Sequence, residues 1–474
     1  MTKQETHTLD VSNVCRQVKE AYRQKNKLSV YHGTTNSTRS LRFKTGEFVD
    51  ISKLNRILAI SEKERYALVE PNVPMDKLLR ATLKAGLMPA VVPEFPGITL
   101  GGGIQGGAGE SSSFKYGGVH NGCEEYEMVL GNGELVKASA NENADLYWGT
   151  ACSYGTLGII TLAKLHLLPA KRYVRLAYRT VRGAEEAVAL LAASARKDFD
   201  YIDGILFSKN FGVVMTGKLT DDNQNLPIAT FHKATDEWFY LHAESFSQRH
   251  PNGEECIPLV DYLFRYDRGA FWAGKYAFRR ANVPFNRVTR FLLNPFFKTR
   301  TMYRLLHTTN ASQQYVSQDI CFPQKTTLQF IRFVDETLNI YPLWLLPIKP
   351  ALHEKLAPSW LQDNLAINVG VWSESTRDAD KFISLNRTME AVAKNLGGRK
   401  TLYAHAYYTR EEFWKIYDLG WYEALRKKYY ATDVFPDIYE KTNVSRKYTP
   451  SLRKGLWDFI KSPFKIPIDA SKPE

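Results

Sequence analysis

Between residues 28 and 170 the chain alternates short apolar runs with polar turns. "KLSVYHG", "FVDIS", "NRILAIS" and "YALVEPN" carry β-branched and aliphatic residues in lengths that suit strands, the last two joined by the charged turn "EKER". In "PMDKLLRATLKAG" the period changes: Leu78, Leu79, Thr82 and Leu83 share one side of a helix that Pro74 opens and Gly86 stops. "YEMVLGNGELVKAS" predicts a hairpin turning at Asn132-Gly133, and "TLGIITLAKLHLLPA" a final strand after a glycine turn at Gly155 and Gly158. From about residue 171 a second pattern begins. "YVRLAYRTV", the helix "GAEEAVALLAASA", "YIDGILFS" and "FGVVMTG" make a β-α-β-β unit, to which "LAINVGVW" and the helix "DADKFISLNRTMEAVAKNLG" add later. The predicted class is α+β, the second domain an antiparallel sheet with helices on one side. Ahead of both domains, Val14, Val18 and Tyr22 at spacings of four predict an amphipathic surface helix.

One stretch fits neither period. "PEFPGITLGGGIQGGAGESSSFKYGG", Pro93 to Gly118, holds nine glycines and a G-x-G-x-x-G match at Gly101, Gly103 and Gly106. A dinucleotide-binding Rossmann unit needs a strand before the first glycine and a helix opening at the third. Here "MPAVVPEFPGITL" brings three prolines in thirteen residues, and "GGAGESSSFKYGG" has no helical apolar period. The acidic pair Glu124 and Glu125, near the distance of a ribose contact, is then coincidence. What the stretch predicts is a long loop of small residues. Its backbone N–H groups can converge on an anion such as a pyrophosphate, and a plain glycine-rich surface loop is the alternative.

Composition narrows the class. With 474 residues, 44% hydrophobic and 24% charged, the chain is long enough for two or three domains with cores. Nine Trp, 25 Phe and 26 Tyr suit a large planar or apolar ligand as well as a large core. The first 27 residues lack the apolar stretch of a signal peptide, and "YPLWLLPI" is too short for a membrane span. Five widely spaced cysteines make neither a disulfide framework nor a zinc pattern. The expectation is a cytoplasmic protein without a transmembrane helix, in peripheral contact with a membrane.

That last expectation comes from the charge distribution, a net +13 spread unevenly. From Arg268 to Gln318 there is no Asp or Glu against nine cations, interleaved with Phe271, Trp272, Tyr276, Phe278, Phe285, Phe291, Phe296, Phe297 and Tyr303. "RFLLNPFFKTRTMYRLL" is too apolar for a nucleic-acid groove, so no nucleic acid is expected. It reads as a surface resting on anionic lipid, with a basic cap on the protein's own core as the alternative. "SLRKGLWDFIK", with Leu452, Leu456 and Phe459 on one helical face, is a second such candidate.

Three features occur in order: a strand followed by "HGTTNST", the glycine stretch, and "DLYWGTACSYGTLGIITLAKLHLLPA". This order resembles the FAD-binding domain of the vanillyl-alcohol oxidase / p-cresol methylhydroxylase (PCMH) superfamily. More closely, "GESSSFKYG", "ELVKASANENADLYW", "LLPAKRYVRL", "SQDICFPQKTTLQ", "IYPLWLLP", "LYAHAYYTREEFWKIYD" and "VFPDIYEK" resemble the Δ24-sterol reductases over residues 28–442. The resemblance implies a two-lobed PCMH-type FAD-binding domain at 28–170 and a substrate (cap) domain at 171–420. A helix at 1–27 precedes them, and a segment at 421–474 returns toward the flavin domain. It implies FAD, held without a covalent bond, by Gly33, Thr34, Thr35, Asn36 and Ser37; by Thr99, Gly101, Gly102, Gly106, Gly107, Ser111 and Ser112; and by Gly158 and Ile159. It also implies reduction of an alkene in a lipid side chain. NADPH would dock transiently in the same cleft, since no separate nicotinamide domain is visible. Two departures stand out: the family's membrane-anchoring segment is not seen, and Thr34 and Thr35 stand where broader flavoproteins often have glycine. Methyl-branched or methylene acyl chains are therefore an alternative substrate. Oxidation of an alcohol or sugar lactone, and non-catalytic lipid binding at a membrane surface, are the other readings.

Reducing an isolated alkene takes a hydride on one carbon and a proton on the other, so the protein must keep an acid protonated in a dry pocket. Glu110, in "GAGESSS", is the first candidate, with hydrogen bonding to its own loop as its alternative role. Tyr116 and His120 follow in the same region, Lys115 serving to neutralise phosphate, and Tyr408 with Arg410 and Glu411 stands on the substrate side. Arg410–Glu411 reads equally as a surface ion pair. His32 and Cys123 are the residue types that tether flavin covalently in relatives. No metal site, catalytic triad or P-loop is expected.

Overall fold

The strand Ile159–Pro169 organises the first domain. A computed structural model of the chain describes residues 1–39, 43–44, 46–223, 225–444 and 446–451, and the stretch carrying Leu452, Leu456 and Phe459 lies outside them. Ile159–Pro169 pairs antiparallel with Tyr66–Val69 on one edge and Cys123–Val129 on the other, and its end takes Leu87–Pro89. Its inward residues Ile160, Ala163, Leu165 and Leu167 are buried, the alternation expected of a sheet with one packed face. A separate parallel pair, Ser29–Tyr31 with Phe48–Asp50, forms the second lobe. The hairpin turns at Asn132-Gly133 as the sequence predicts.

The glycine stretch corrects one expectation. It is not a continuous loop, because Leu100–Gly106 forms a short helix. Thr99 caps it by accepting from the Gly102 N–H, and Leu100 and Ile104, four apart, are both fully buried. Glycine is needed here for close approach: a Cβ on Gly101 would lie 2.6 Å from the Pro71 side chain. Packing thus outweighs the poor helix propensity of four glycines in seven residues.

The second domain is an eight-stranded antiparallel sheet containing Tyr173–Val181, Tyr201–Ser208, Phe211–Thr220, Tyr315–Pro323, Leu343–Ile348 and Ala366–Glu374. The helices Ala184–Ser194, Gln324–Phe333 and Ala379–Asn395 bury their apolar faces in one core on one side of it. The other side faces the first domain and the shorter helices of residues 239–308. The basic aromatic segment divides here. Arg268, Phe271, Trp272, Tyr276 and Phe278 are buried, and Arg268 donates to Asn294 Oδ1 and to three backbone carbonyls. Arg279 and Arg300 pair with Glu374 and Asp76. In contrast, the helix Arg287–Leu292 buries none of its residues.

The helix Leu419–Lys428 and the segment after it, as far as Thr442, lie against the first domain. Arg426 on the helix Leu419–Lys428 donates to Thr156 O at 2.6 Å and to carbonyls of its own segment at Ala431, Phe435 and Pro436. Tyr422 reaches Thr156 Oγ1 at 2.7 Å. This clamp sets the short helix Ile438–Thr442 beside the glycine turn at Gly155.

The N-terminal helix Lys3–Gln24 buries Val11, Val14, Val18 and Ala21 against the first domain. His7 pins it, with Nδ1 2.8 Å from Glu70 Oε1 and Nε2 3.1 Å from Glu127 Oε1. Burial opposes the charged imidazole, but the hydrogen bonds to Glu127 and Glu70 outweigh it and raise His7 to about 9. A raised pKa stabilises the fold fully below the unfolded value and stops doing so above the folded one. His7→Gln is therefore expected to lose about 2 kcal/mol of stability at pH 7. Thermal unfolding followed against pH checks this: the gap between wild type and variant should close as pH rises from 6.5 to 9.

Candidate flavin and substrate cavity

A cavity of about 990 Å³ lies between the two domains. This is the upper end of the roughly 300–1,000 Å³ usual for small-molecule sites. Its walls differ in chemistry. On the first-domain side stand Thr34, Thr35, Asn36 and Ser37, then Thr99, Gly101, Gly102, Gly106 and Gly107, then Gly158 and Ile159. All eleven are predicted cofactor residues, and three separate chain segments bring them to one wall. Gly107 shows why the wall is bare: its φ is +70°, and a Cβ there would lie 2.5 Å from Cys152 Sγ. Gly33, with φ +87°, turns the chain into the first loop without lining the cavity.

Beside that wall sit cations without counter-charges. Arg39 is buried and donates to the carbonyls of Leu402 and Ala404, while its Nε has no partner. Lys441 lines the cavity, and burial together with Arg39 lowers it to about 8. Neither forms an ion pair with a carboxylate among the described residues. His32 also lines the cavity; burial, then Lys441, lowers it to about 4, and its Nδ1 has no partner. Burying uncompensated positive charge is costly, and a diphosphate bound here would remove that cost. The glycine wall and the unpaired cations together fit FAD.

The second-domain wall is apolar and aromatic. The sheet presents Trp344, Leu346, Ile348 and Trp372, and the 268–308 segment adds Phe271, Leu293, Phe296, Met302, Tyr303 and Leu306. Polar groups enter at two places. Asp319 accepts from Tyr403 Oη at 2.6 Å and from Asn368 Nδ2 at 2.8 Å, and burial raises it to about 6. Glu94, which the first domain contributes from the start of the glycine stretch, is the second carboxyl lining the cavity.

None of the four predicted catalytic residues lines this cavity. Glu110 is buried behind the glycine wall, where Ser111 Oγ donates to its Oε2 at 2.7 Å. Ser111 also meets Tyr262 Oη at 3.1 Å and Ser112 donates to Ala90 O at 2.7 Å, so both serines brace this turn from behind. Tyr116 packs under Lys115, whose charge goes to Asp200. His120 is buried, and burial lowers it against the opposing pull of Glu354. Tyr408 packs against Phe413, and Cys123 Sγ faces Val119 O. Arg410 and Glu411 pair with Asp437 and Lys415, which is the surface ion-pair reading in a different pairing. Glu94, Asp319, Tyr403, Arg39 and Lys441 escaped the sequence reading. The one signal for Glu94 was an acid set between prolines in an otherwise apolar run.

A family model for an FAD binding domain matches residues 7–139. The Delta(24)-sterol reductase of Homo sapiens is 31% identical over 450 residues, covering 92% of this chain and 86% of that protein. The chain belongs to the Delta(24)-sterol reductase family. Its likeness extends to the Delta(24)-sterol reductase of Arabidopsis thaliana, 29% identical over 86% of this chain and 78% of the other. The Delta(24)-sterol reductase homolog dhcr-24 of Caenorhabditis elegans is 28% identical, over 82% and 77%. An FAD-dependent oxidoreductase of this family has a use for each feature of the glycine wall. Replacing Lys441 by Met should weaken FAD binding about 10–100-fold, the equivalent of one charge-assisted hydrogen bond. Flavin recovered in the filtrate after dilution measures it, and Lys441→Arg should restore most of the loss.

Proposed function

We propose that this flavoprotein reduces a carbon–carbon double bond in a sterol side chain, with NADPH as the electron donor. The observation that carries this reading is the continuity of one cavity from a glycine-lined, cation-bearing wall to an aromatic, apolar one. When bound, FAD supplies the hydride chemistry. The protein's share is to hold the flavin without a covalent bond, align the side chain over it, keep water out and deliver one proton. The names of its relatives support the sterol as substrate, and an apolar, aromatic wall suits its ring system as well as its tail.

Substrate reaches such a cavity from lipid. Among the described residues no helix is long and apolar enough to cross a membrane. A different contact is available on the helix Arg287–Leu292 and the turn after it. Val288, Phe291, Leu292 and Phe296 are exposed there, at 65%, 48%, 65% and 49%. Arg287, Arg290 and Lys298 flank them. Phe296 also lines the cavity, so this patch borders the opening. Apolar side chains ringed by cations are the composition that rests on an anionic lipid surface.

Anaerobic NADPH should bleach the visible flavin absorption of the purified protein, and a Δ24-sterol should restore it. A yellow protein indifferent to NADPH would leave an oxidase or dehydrogenase fed by its own substrate. Recovery with a methylene acyl chain and not with the sterol would move the substrate class. Co-sedimentation with phosphatidylserine vesicles should fall sharply in Phe291→Ser/Leu292→Ser, while flavin content stays unchanged.

A further inference from the structure

Only two carboxyl groups line the cavity among the described residues, Glu94 and Asp319, and their surroundings assign them opposite tasks. Both oxygens of Asp319 accept hydrogen bonds, from Tyr403 and Asn368. That arrangement favours the carboxylate and spends the Tyr403 hydroxyl proton on Asp319. Glu94 has the reverse setting. It is only 6% exposed, and its Oε1 has no hydrogen-bond partner.

The charges facing Glu94 come from both domains. Arg265 is the cation, but its guanidinium is committed to Asp203 at 2.9 Å. Asp203 Oδ2 also accepts from Tyr266 Oη and Trp344 Nε1, each at 3.1 Å. Glu110 completes the cluster, with Tyr262 and Tyr266 at its edge. Three buried carboxyls thus share one guanidinium, and Asp203 holds it. Burial raises Glu94 well above the ordinary carboxylate range; Arg265 opposes this, and Glu110 and Asp203 add to it. Burial and an unpartnered oxygen both favour the protonated form of such an acid.

Aromatic faces surround the same place. The Phe95 ring lies 5.8 Å from Phe271 and 6.0 Å from Tyr303, and Phe271 lies 5.0 Å from Trp344 and 4.3 Å from Trp372. All five line the cavity. A carbon that becomes cationic within this wall is stabilised by the negative faces of the rings.

We propose that Glu94 is the proton donor to the alkene, acting beside an aromatic wall of Phe95, Phe271, Tyr303, Trp344 and Trp372. The assignment rests on the reductase reading above. The π electron pair of the substrate forms a C–H bond with the Glu94 proton while the O–H bond breaks. This leaves a carboxylate and a tertiary carbon cation. The cation accepts the hydride that originates from NADPH, and the carboxylate regains a proton from solvent. The sum is alkene plus NADPH plus one proton giving the saturated chain plus NADP⁺.

The two half-reactions of the FAD-loaded enzyme separate this assignment from the reading beneath it. In Glu94→Gln, bleaching by NADPH should proceed at the wild-type rate, while reoxidation by the sterol alkene falls by about 10²–10⁴-fold, the usual worth of a positioned acid. Glu94→Asp should recover part of it, and Asp319→Asn should not mimic it. Wild-type reoxidation in Glu94→Gln overturns Glu94 as donor. A wild-type enzyme that no alkene reoxidises overturns the reductase reading instead. A second readout needs no turnover: the infrared C=O stretch of protonated carboxylic acid at pH 7 should lose one component in Glu94→Gln. Should neither Glu94 variant hold flavin, isotope-edited spectra of the wild type decide. Absence of a protonated glutamic acid signal at pH 7 would overturn the proposal.

Discussion

Positive charge held at the cavity without a carboxylate counter-charge is the constraint around which the first domain is arranged. Arg39 and Lys441 stand at the glycine-lined wall, remote in sequence from each other, and each is held by structure that has no other evident purpose. Arg39 is fixed by the carbonyls of Leu402 and Ala404, hence by the chain that follows the second-domain sheet. Lys441 is placed by the returning segment, which Arg426 and Tyr422 fasten to Thr156. The cost of keeping two such groups from water is tolerable only if an anion occupies the space between them. The chain after the second-domain sheet, the returning segment and the bare glycine wall thus meet at one place.

The two carboxyls that line the cavity among the described residues pose a complementary problem. A carboxyl becomes a donor when it is denied both cations and hydrogen-bond donors, and an acceptor when it is given them. Asp319 and Glu94 lie in one cavity; Asp319 accepts from Tyr403 and Asn368, whereas Glu94 Oε1 has no hydrogen-bond partner. Beside Glu94 the Arg265 guanidinium bonds to Asp203, which also accepts from Tyr266 and Trp344, and burial outweighs the pull that Arg265 keeps on Glu94. Glu110, buried in the same cluster without facing the cavity, contributes by repulsion alone.

Local periodicity carried most of the fold. The strands around Ile159–Pro169, the helix at Met75–Leu83 and the second-domain sheet follow from apolar spacing that each segment shows by itself. The seven-residue glycine helix did not, because its stability lies in Pro71 and in the burial of Leu100 and Ile104, which are tertiary facts. The cofactor wall was legible for the same reason as the strands, since small residues announce close approach within one short stretch. The acids were not. Whether Glu94 or Glu110 faces the cavity depends on how the stretch between them folds, the helix Leu100–Gly106 included, and composition is silent on that. Lys441 became a site residue only through the clamp at Arg426.

The basic aromatic segment shows how a single stretch serves both a core and a surface. Its first part is folded inward, and Phe271 there contacts Trp344 and Trp372 on the sheet. Its middle part turns Val288, Phe291 and Leu292 to the outside, with Phe296 belonging to the exposed patch and the cavity at once. Apolar surface that continuous has a consequence for a ligand with a long hydrocarbon tail. Transfer from lipid through an aqueous gap would cost about 25 cal/mol for each Å² of apolar area exposed. Phe296, Leu293, Met302 and Tyr303 of this segment line the cavity with such apolar area. Among the cations of the same segment, Arg268 and Arg304 are buried, Arg280 lines the cavity and donates to Gln314 and to the carbonyl of Ser375, and Arg287 and Arg290 stand on the helix that buries none of its residues.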